Sequence, residues 1–75
     1  MNNRIHISPD ICHGKPVIKG TRVLVSNILG ALSAGDTIEQ ILVDYPNISK
    51  EDVYAALQFG SELANFETHI YEPAN

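Results

Sequence analysis

Several things are scarce in this chain, and each scarcity excludes something. Cys12 is its one cysteine. No internal disulfide can form, and a lone thiol fits a reducing cytosol better than an oxidising compartment. No apolar run approaches the ~20 residues of a membrane span, and the first residues carry no signal-peptide pattern. The expectation is a soluble, cytoplasmic protein with no membrane partner. Paired zinc ligands are lacking too. His6, Asp10, Cys12 and His13 crowd one turn region instead of forming two spaced pairs, so no metal is expected. Ser8, His6 and Asp10 are neighbours without the pocket and oxyanion hole that a triad needs. Five residues separate Gly14 from Gly20, and Thr21 follows Gly20 with no lysine between, which refuses a phosphate loop. No cofactor and no catalysis are expected.

What is present is a chain of 75 residues, near the lower size limit for a domain that builds its own core. With 44% hydrophobic and 19% charged residues it is too apolar to stay disordered. A single domain over residues 1–75 is expected, and its small size favours added support from a second subunit. The net charge of −4 conceals an asymmetry. Residues 1–25 set Arg4, Lys15, Lys19 and Arg22 against Asp10 alone, a balance of +3. Residues 26–75 set Lys50 alone against Asp36, Glu39, Asp44, Glu51, Asp52, Glu62, Glu67 and Glu72, a balance of −7. A basic end can meet phosphate and an acidic end repels it, so the two regions are expected to have different partners. The competing reading takes both as solvated faces.

Arg4-Ile5-His6-Ile7 alternates as a short half-buried strand does, and Ser8-Pro9-Asp10 ends it with turn residues. Val17 and Ile18 are separated from Thr21, Val23 and Val25 by Lys19-Gly20, the pattern of a hairpin turn. Residues 1–25 thus predict a small sheet or β arm, and residues 26–75 a helical bundle. Val25, Ile28, Leu29 and Leu32 share one helical face, with Gly35 placed as a C-terminal cap. Ile38, Ile41, Leu42 and Tyr45 repeat the spacing between Thr37, with Gln40 behind it, and Pro46. A third helix opens at Ser49, with Asp52 three residues on and Ile48 set to pack on Val53 as a hydrophobic staple.

From Ser49 to about Ile70 there is no proline and one glycine, Gly60, so the third helix is expected to be long. It carries two apolar stripes. Val53, Leu57, Gly60 and Ala64 are assigned to the core, with Gly60 and Ala64 small enough for a close helix approach. Ala56, Phe59, Leu63, Phe66 and Ile70 are spaced 3, 4, 3, 4, a coiled-coil-like seam left for a second copy or a partner. Phe59, Leu63, Phe66, Ile70 and Tyr71 are the predicted partner-binding residues. The competing reading bends the helix near Gly60 and folds the second stripe back.

Three helices with short connections fit a mainly α fold of the homeodomain-like helix-turn-helix kind, with a short N-terminal β arm and a long last helix. The third helix opens Ser49-Lys50-Glu51-Asp52, and its two carboxylates would repel a duplex. Phosphate contacts are therefore assigned to Lys15, Lys19 and Arg22 on the arm, with Lys50 added from the helix. In the competing reading Arg22 pairs with an acidic helix residue and pins the arm to the bundle.

Gly14-Lys15-Pro16-Val17-Ile18-Lys19-Gly20-Thr21-Arg22-Val23 resembles the signature of the domain-of-unknown-function 433 family, regarded as VapB-type antitoxins. Ala34-Gly35-Asp36-Thr37-Ile38-Glu39-Gln40-Ile41-Leu42 and Tyr45-Pro46-Asn47-Ile48-Ser49-Lys50-Glu51-Asp52-Val53 are similar to the rest of its pattern. The match covers roughly residues 5 to 70, and His13 stands where the pattern has a second glycine. The resemblance implies a homeodomain-like core, pairing with a PIN-like ribonuclease toxin, and operator binding for autoregulation. Such antitoxins commonly block the nuclease with a C-terminal segment, sometimes through an arginine in its metal site. No Arg or Lys follows Lys50 here, so occlusion by the apolar and acidic C-terminal helix is the expected version. The expectation is a non-catalytic antitoxin, dimeric or larger. The alternatives are a stand-alone dimeric DNA-binding regulator and an oligomerisation module that binds no DNA.

Overall fold

The computed structural model describes residues 2–70, with side chains through Asn65. Strand β1 (Ile5–His6) pairs antiparallel with β2 (Val17–Ile18), setting Ile5 opposite Ile18 and His6 opposite Val17. The turn expected at Lys19-Gly20 is there. The Thr21 N–H donates to the Ile18 carbonyl at 2.9 Å, and Gly20, third in the turn, has φ +82°, a value glycine adopts without strain. The Thr21 hydroxyl locks it, donating to the Ile18 carbonyl at 2.8 Å and accepting from the Val23 N–H at 3.0 Å. Beyond the turn the chain makes one bridge, Val17 to Leu24, and then enters a helix. The segment after the turn pairs back on Val17-Ile18 as the hairpin pattern requires, the Ile18 N–H donating to Val23 O and the Val25 N–H to Pro16 O, each at 3.0 Å, and β1 adds to the other edge.

Helix α1 (Val25–Ser33) ends as its glycine predicts. Gly35 takes φ +104°, its N–H donates to Leu32 O at 3.1 Å, and the Asp36 N–H donates to Ala31 O at 3.0 Å, the two bonds of a Schellman cap. Helix α2 (Ile38–Asp44) starts at Thr37, whose hydroxyl accepts from the Gln40 N–H at 3.1 Å. Its last turn closes with the Tyr45 N–H on Ile41 O at 2.8 Å, just before Pro46. Helix α3 (Lys50–Ile70) starts with a reciprocal cap: the Asp52 N–H donates to Ser49 Oγ at 3.2 Å, and the Ser49 N–H donates to Asp52 Oδ2 at 2.9 Å. The fold is mainly α, a three-helix bundle preceded by a short two-stranded β hairpin and ending in a long helix.

The core draws on every element. Ile28, Ile41 and Val53 are fully buried at the centre, with Ile48 beside them as the staple position requires. Ile5, Ile18, Val23 and Val25 belong to the same cluster. The β segment is therefore packed into the domain and is no free arm. Side chains from the segment just before β1 reach α3 directly: Asn2 Nδ2 donates to the Ala55 carbonyl at 3.1 Å, and Arg4 Nη1 meets Asp52 Oδ1 at 3.0 Å.

This packing corrects the assignment of α3's faces. The buried residues are Asp52, Val53, Ala55, Ala56 and Phe59, whereas Leu57 and Ala64 of the expected core stripe are exposed. Phe59, expected on the partner surface, is a core residue with 8% of its surface exposed. The reason is that α3 is covered by α1 and α2 and also by β1, so its buried arc is wider and turned relative to one set by helices alone. Gly60 keeps its expected role. A Cβ there would lie 3.1 Å from Leu29 Cδ1, so a larger residue would require the Leu29 side chain to give by a few tenths of an ångström where α1 meets α3. The helix runs through Gly60 without a break.

Candidate functional site

Two surfaces hold the side chains that the sequence singles out. The first is the distal part of α3. Ala56, Phe59 and Leu63 follow one line along the helix; Ala56 is fully buried and Phe59 nearly so, but Leu63, one turn further, is 50% exposed. A stripe of core residues thus leaves its own bundle. Glu62 and Asn65 are exposed around Leu63, and Tyr54 and Leu57 stand out on the opposite flank. Phe66, Ile70 and Tyr71 were expected on this surface, and their side chains lie outside the described residues.

The second surface is the basic loop face. Lys15, Lys19 and Arg22 are all exposed on the segments flanking β2 and make no ion pair among the described residues. Arg22 contributes to an open depression of about 500 Å³ lined also by His6, Ile11, Gly20 and Thr21. Lys50 is exposed on the first turn of α3, next to Glu51, and is not part of that depression. The structure therefore places Arg22 with His6, keeps Lys15 and Lys19 on the same connecting segments, and sets Lys50 apart on another element.

The pinning contact that the competing reading gave to Arg22 is made by Arg4. Its guanidinium bonds Asp52, which is 9% exposed and also caps α3. Burial works to raise the Asp52 pKa, but the Ser49 N–H, the Arg4 guanidinium and the Ser49 hydroxyl together hold it below its ordinary value. Arg4 is consequently occupied in structure, whereas Arg22 makes no ion pair among the described residues. Reading the sequence alone missed this exchange; the one clue was an aspartate where a helix cap usually has a longer acid.

The turn that leads into the basic segment is strained. Cys12, His13 and Gly14 all have positive φ, at 50°, 59° and 81°. His13, where a glycine was expected, occupies a left-handed conformation that a glycine would take without strain. Among the described residues no group of three or more His, Cys, Asp or Glu is placed to hold a metal ion, and no helix is long and apolar enough to cross a membrane.

A three-helix bundle bearing a short β hairpin and two separate exposed surfaces is the class of structure in hand. The family model described as "Protein of unknown function (DUF433)" matches residues 5–60, and the chain belongs to that family. It is similar to the crystal structure of a DUF433 member protein from Anabaena variabilis, with a TM-score of 0.76 and 30% identity, over 81% of this chain and 60% of that one. It is also 39% identical over 49 residues to the uncharacterized protein y4eO of Sinorhizobium fredii, a match that takes in 65% of this chain. The chain spans 22% of the length of that relative.

Proposed function

We propose that this protein is an antitoxin: a non-catalytic inhibitor that binds a PIN-like ribonuclease with the distal part of α3 and represses its own operon through the basic loop face. The observation that carries the reading is the stripe that begins in the core at Ala56 and Phe59 and continues onto the surface at Leu63. A partner that extends the core past the end of the bundle covers it with the least loss of water-exposed polar surface. The acidic balance of residues 26–75 favours a partner with a basic rim, as a nuclease that holds RNA must have. The partner class proposed is the one that the family resemblance implies. Self-association through the exposed Tyr54 and Leu57 is part of the same reading.

The test is co-expression with the product of the adjacent gene, which this reading requires to be a PIN-like ribonuclease. The full chain should co-purify with it and rescue growth. Leu63→Asp should keep its fold by circular dichroism and lose binding by about thirtyfold or more, as expected when a charge enters a central apolar contact. Equal binding by Leu63→Asp, or no ribonuclease bound by the full chain, refutes the reading. A stand-alone DNA-binding regulator is the second reading, favoured by the loop-face cations, which make no ion pair among the described residues; it is selected if operator binding is present and the ribonuclease is ignored.

A further inference from the structure

We propose that the depression between β1 and the 18–21 turn is a site for a phosphate group of a polynucleotide backbone, held by the Arg22 guanidinium, the His6 imidazole and the main-chain N–H groups of Gly20 and Arg22. The inference deepens the operator-binding part of the reading above and rests on it, but it concerns atoms that reading does not assign.

The accounting of hydrogen-bond donors leads to this site. In the turn, the Thr21 N–H goes to Ile18 O, the Val23 N–H goes to the Thr21 hydroxyl, and the Lys19 N–H goes to Arg4 O at 2.8 Å. The Gly20 and Arg22 N–H groups donate to no protein acceptor among the described residues. Both residues line the depression. Gly20 reaches this geometry through its φ of +82°, and nothing lies within 4 Å of where its Cβ would be, so the backbone is open to a ligand. Main-chain donors in an extended-to-left-handed turn are a recurrent way to hold an anion.

Charge points the same way. None of the five lining residues is a carboxylate, and Arg22 has no ion pair among the described residues, whereas Arg4 nearby in the chain is consumed by Asp52. Thr21 is not a ligand here. Both hydrogen-bonding roles of its hydroxyl are used inside the turn, so it positions the residues on either side. Ile11 supplies an apolar wall, which suits a phosphate flanked by sugar better than a fully hydrated ion. The depression is open and shallow, with Lys15 and Lys19 exposed on the connecting segments. A long polyanion can use those additional cations; a single small phosphate cannot.

The site can be tested on the full chain labelled with 15N. Inorganic phosphate and, separately, a duplex of the upstream DNA are titrated at matched ionic strength, and the amide signals of Gly20 and Arg22 are followed. Both titrations should move these two signals, the duplex saturating at far lower concentration. Arg22→Gln should weaken duplex binding about tenfold and lower the salt slope by about one unit, and His6→Gln should weaken it less. The variants' spectra report whether the fold is kept. If the duplex shifts residues of α3 around Lys50 and leaves Gly20 and Arg22 unmoved, the proposal is wrong. If phosphate alone moves them and the duplex does not, the site is for a small phosphate and the polynucleotide assignment is overturned. Ribonuclease neutralisation should be unchanged in Arg22→Gln, so failure here and failure of the antitoxin reading are told apart.

Discussion

The two parts of α3 share one apolar line and have opposite fates. Between Asp52 and Phe59 the helix is covered by α1, α2 and β1, and Phe59 keeps 8% of its surface exposed. Between Ser61 and Asn65 every residue is exposed, including Leu63 on the same line as Phe59 and Ala56. The helix itself runs unbroken through that boundary. What changes is that its neighbours have ended. Apolar periodicity therefore says which side of a helix seeks cover, and the lengths of the surrounding elements say where the domain itself provides it. A stripe that outruns them is available to another molecule.

The largest expected effect sharpens this contrast. Phe59→Ala should destabilise the domain by about 3–4 kcal/mol, because it empties a packed position. Leu63→Ala should cost less than about 0.5 kcal/mol, as an exposed position does. Urea denaturation of both variants measures the pair. A comparable loss at Leu63 would mean that the distal helix packs on its own domain, and the contrast would collapse.

Asp52 comes next. It caps α3, satisfies the Ser49 N–H and receives Arg4, so Asp52→Ala should cost about 2 kcal/mol, more than an exposed helix cap alone. Arg4→Ala should cost less than about 1 kcal/mol, since half of the Arg4 side chain is in solvent and the pair is screened. The pH dependence follows from the sign of the Asp52 shift. Its carboxyl pKa is lower in the folded chain than its ordinary 3.8, so the unfolded state binds the proton more readily. The contribution is present in full above about that value, falls as pH drops below it, and is lost once pH passes the folded value. Wild type should therefore lose more stability between pH 5 and acid than Asp52→Asn does; equal losses would show that the pairing has no energetic weight.

A smaller effect is expected in the strained turn. His13→Gly should stabilise the chain by a net of about 0.5–1 kcal/mol, the relief of a left-handed side-chain residue reduced by glycine's greater freedom when unfolded. Thermal melting of the variant checks it, and a lower Tm would mean that the His13 side chain contributes packing that outweighs the strain. The smallest effect separates the two arginines. Arg22→Ala should leave stability within about 0.5 kcal/mol while Arg4→Ala does not, which would mark Arg22 as the one free for a ligand. A larger loss at Arg22 than at Arg4 would reverse the roles assigned to them.

Much of this could be read without coordinates, because it is written in short-range chemistry. Gly35 ending α1, Thr37 starting α2, and Ser49 with Asp52 starting α3 are each decided by groups within a few residues, where a side-chain oxygen or a left-handed glycine satisfies a helix end. Ile48 and Val53 are buried together as their spacing requires. Three helices, their order and the long last one follow from these signals and from the 3.6-residue period. The tertiary structure decided what pairs with what. Ile5–His6 paired with the edge of Val17–Ile18 that the turn left open, Arg4 and not Arg22 met an acid of α3, and β1 turned the buried face of α3 toward Phe59 and away from Leu57. Each of those choices joins residues far apart in the chain, Arg4 and Asp52 by 48 positions. Local pattern fixes the direction in which a side chain points. Only the assembled neighbours fix whether anything is there to meet it.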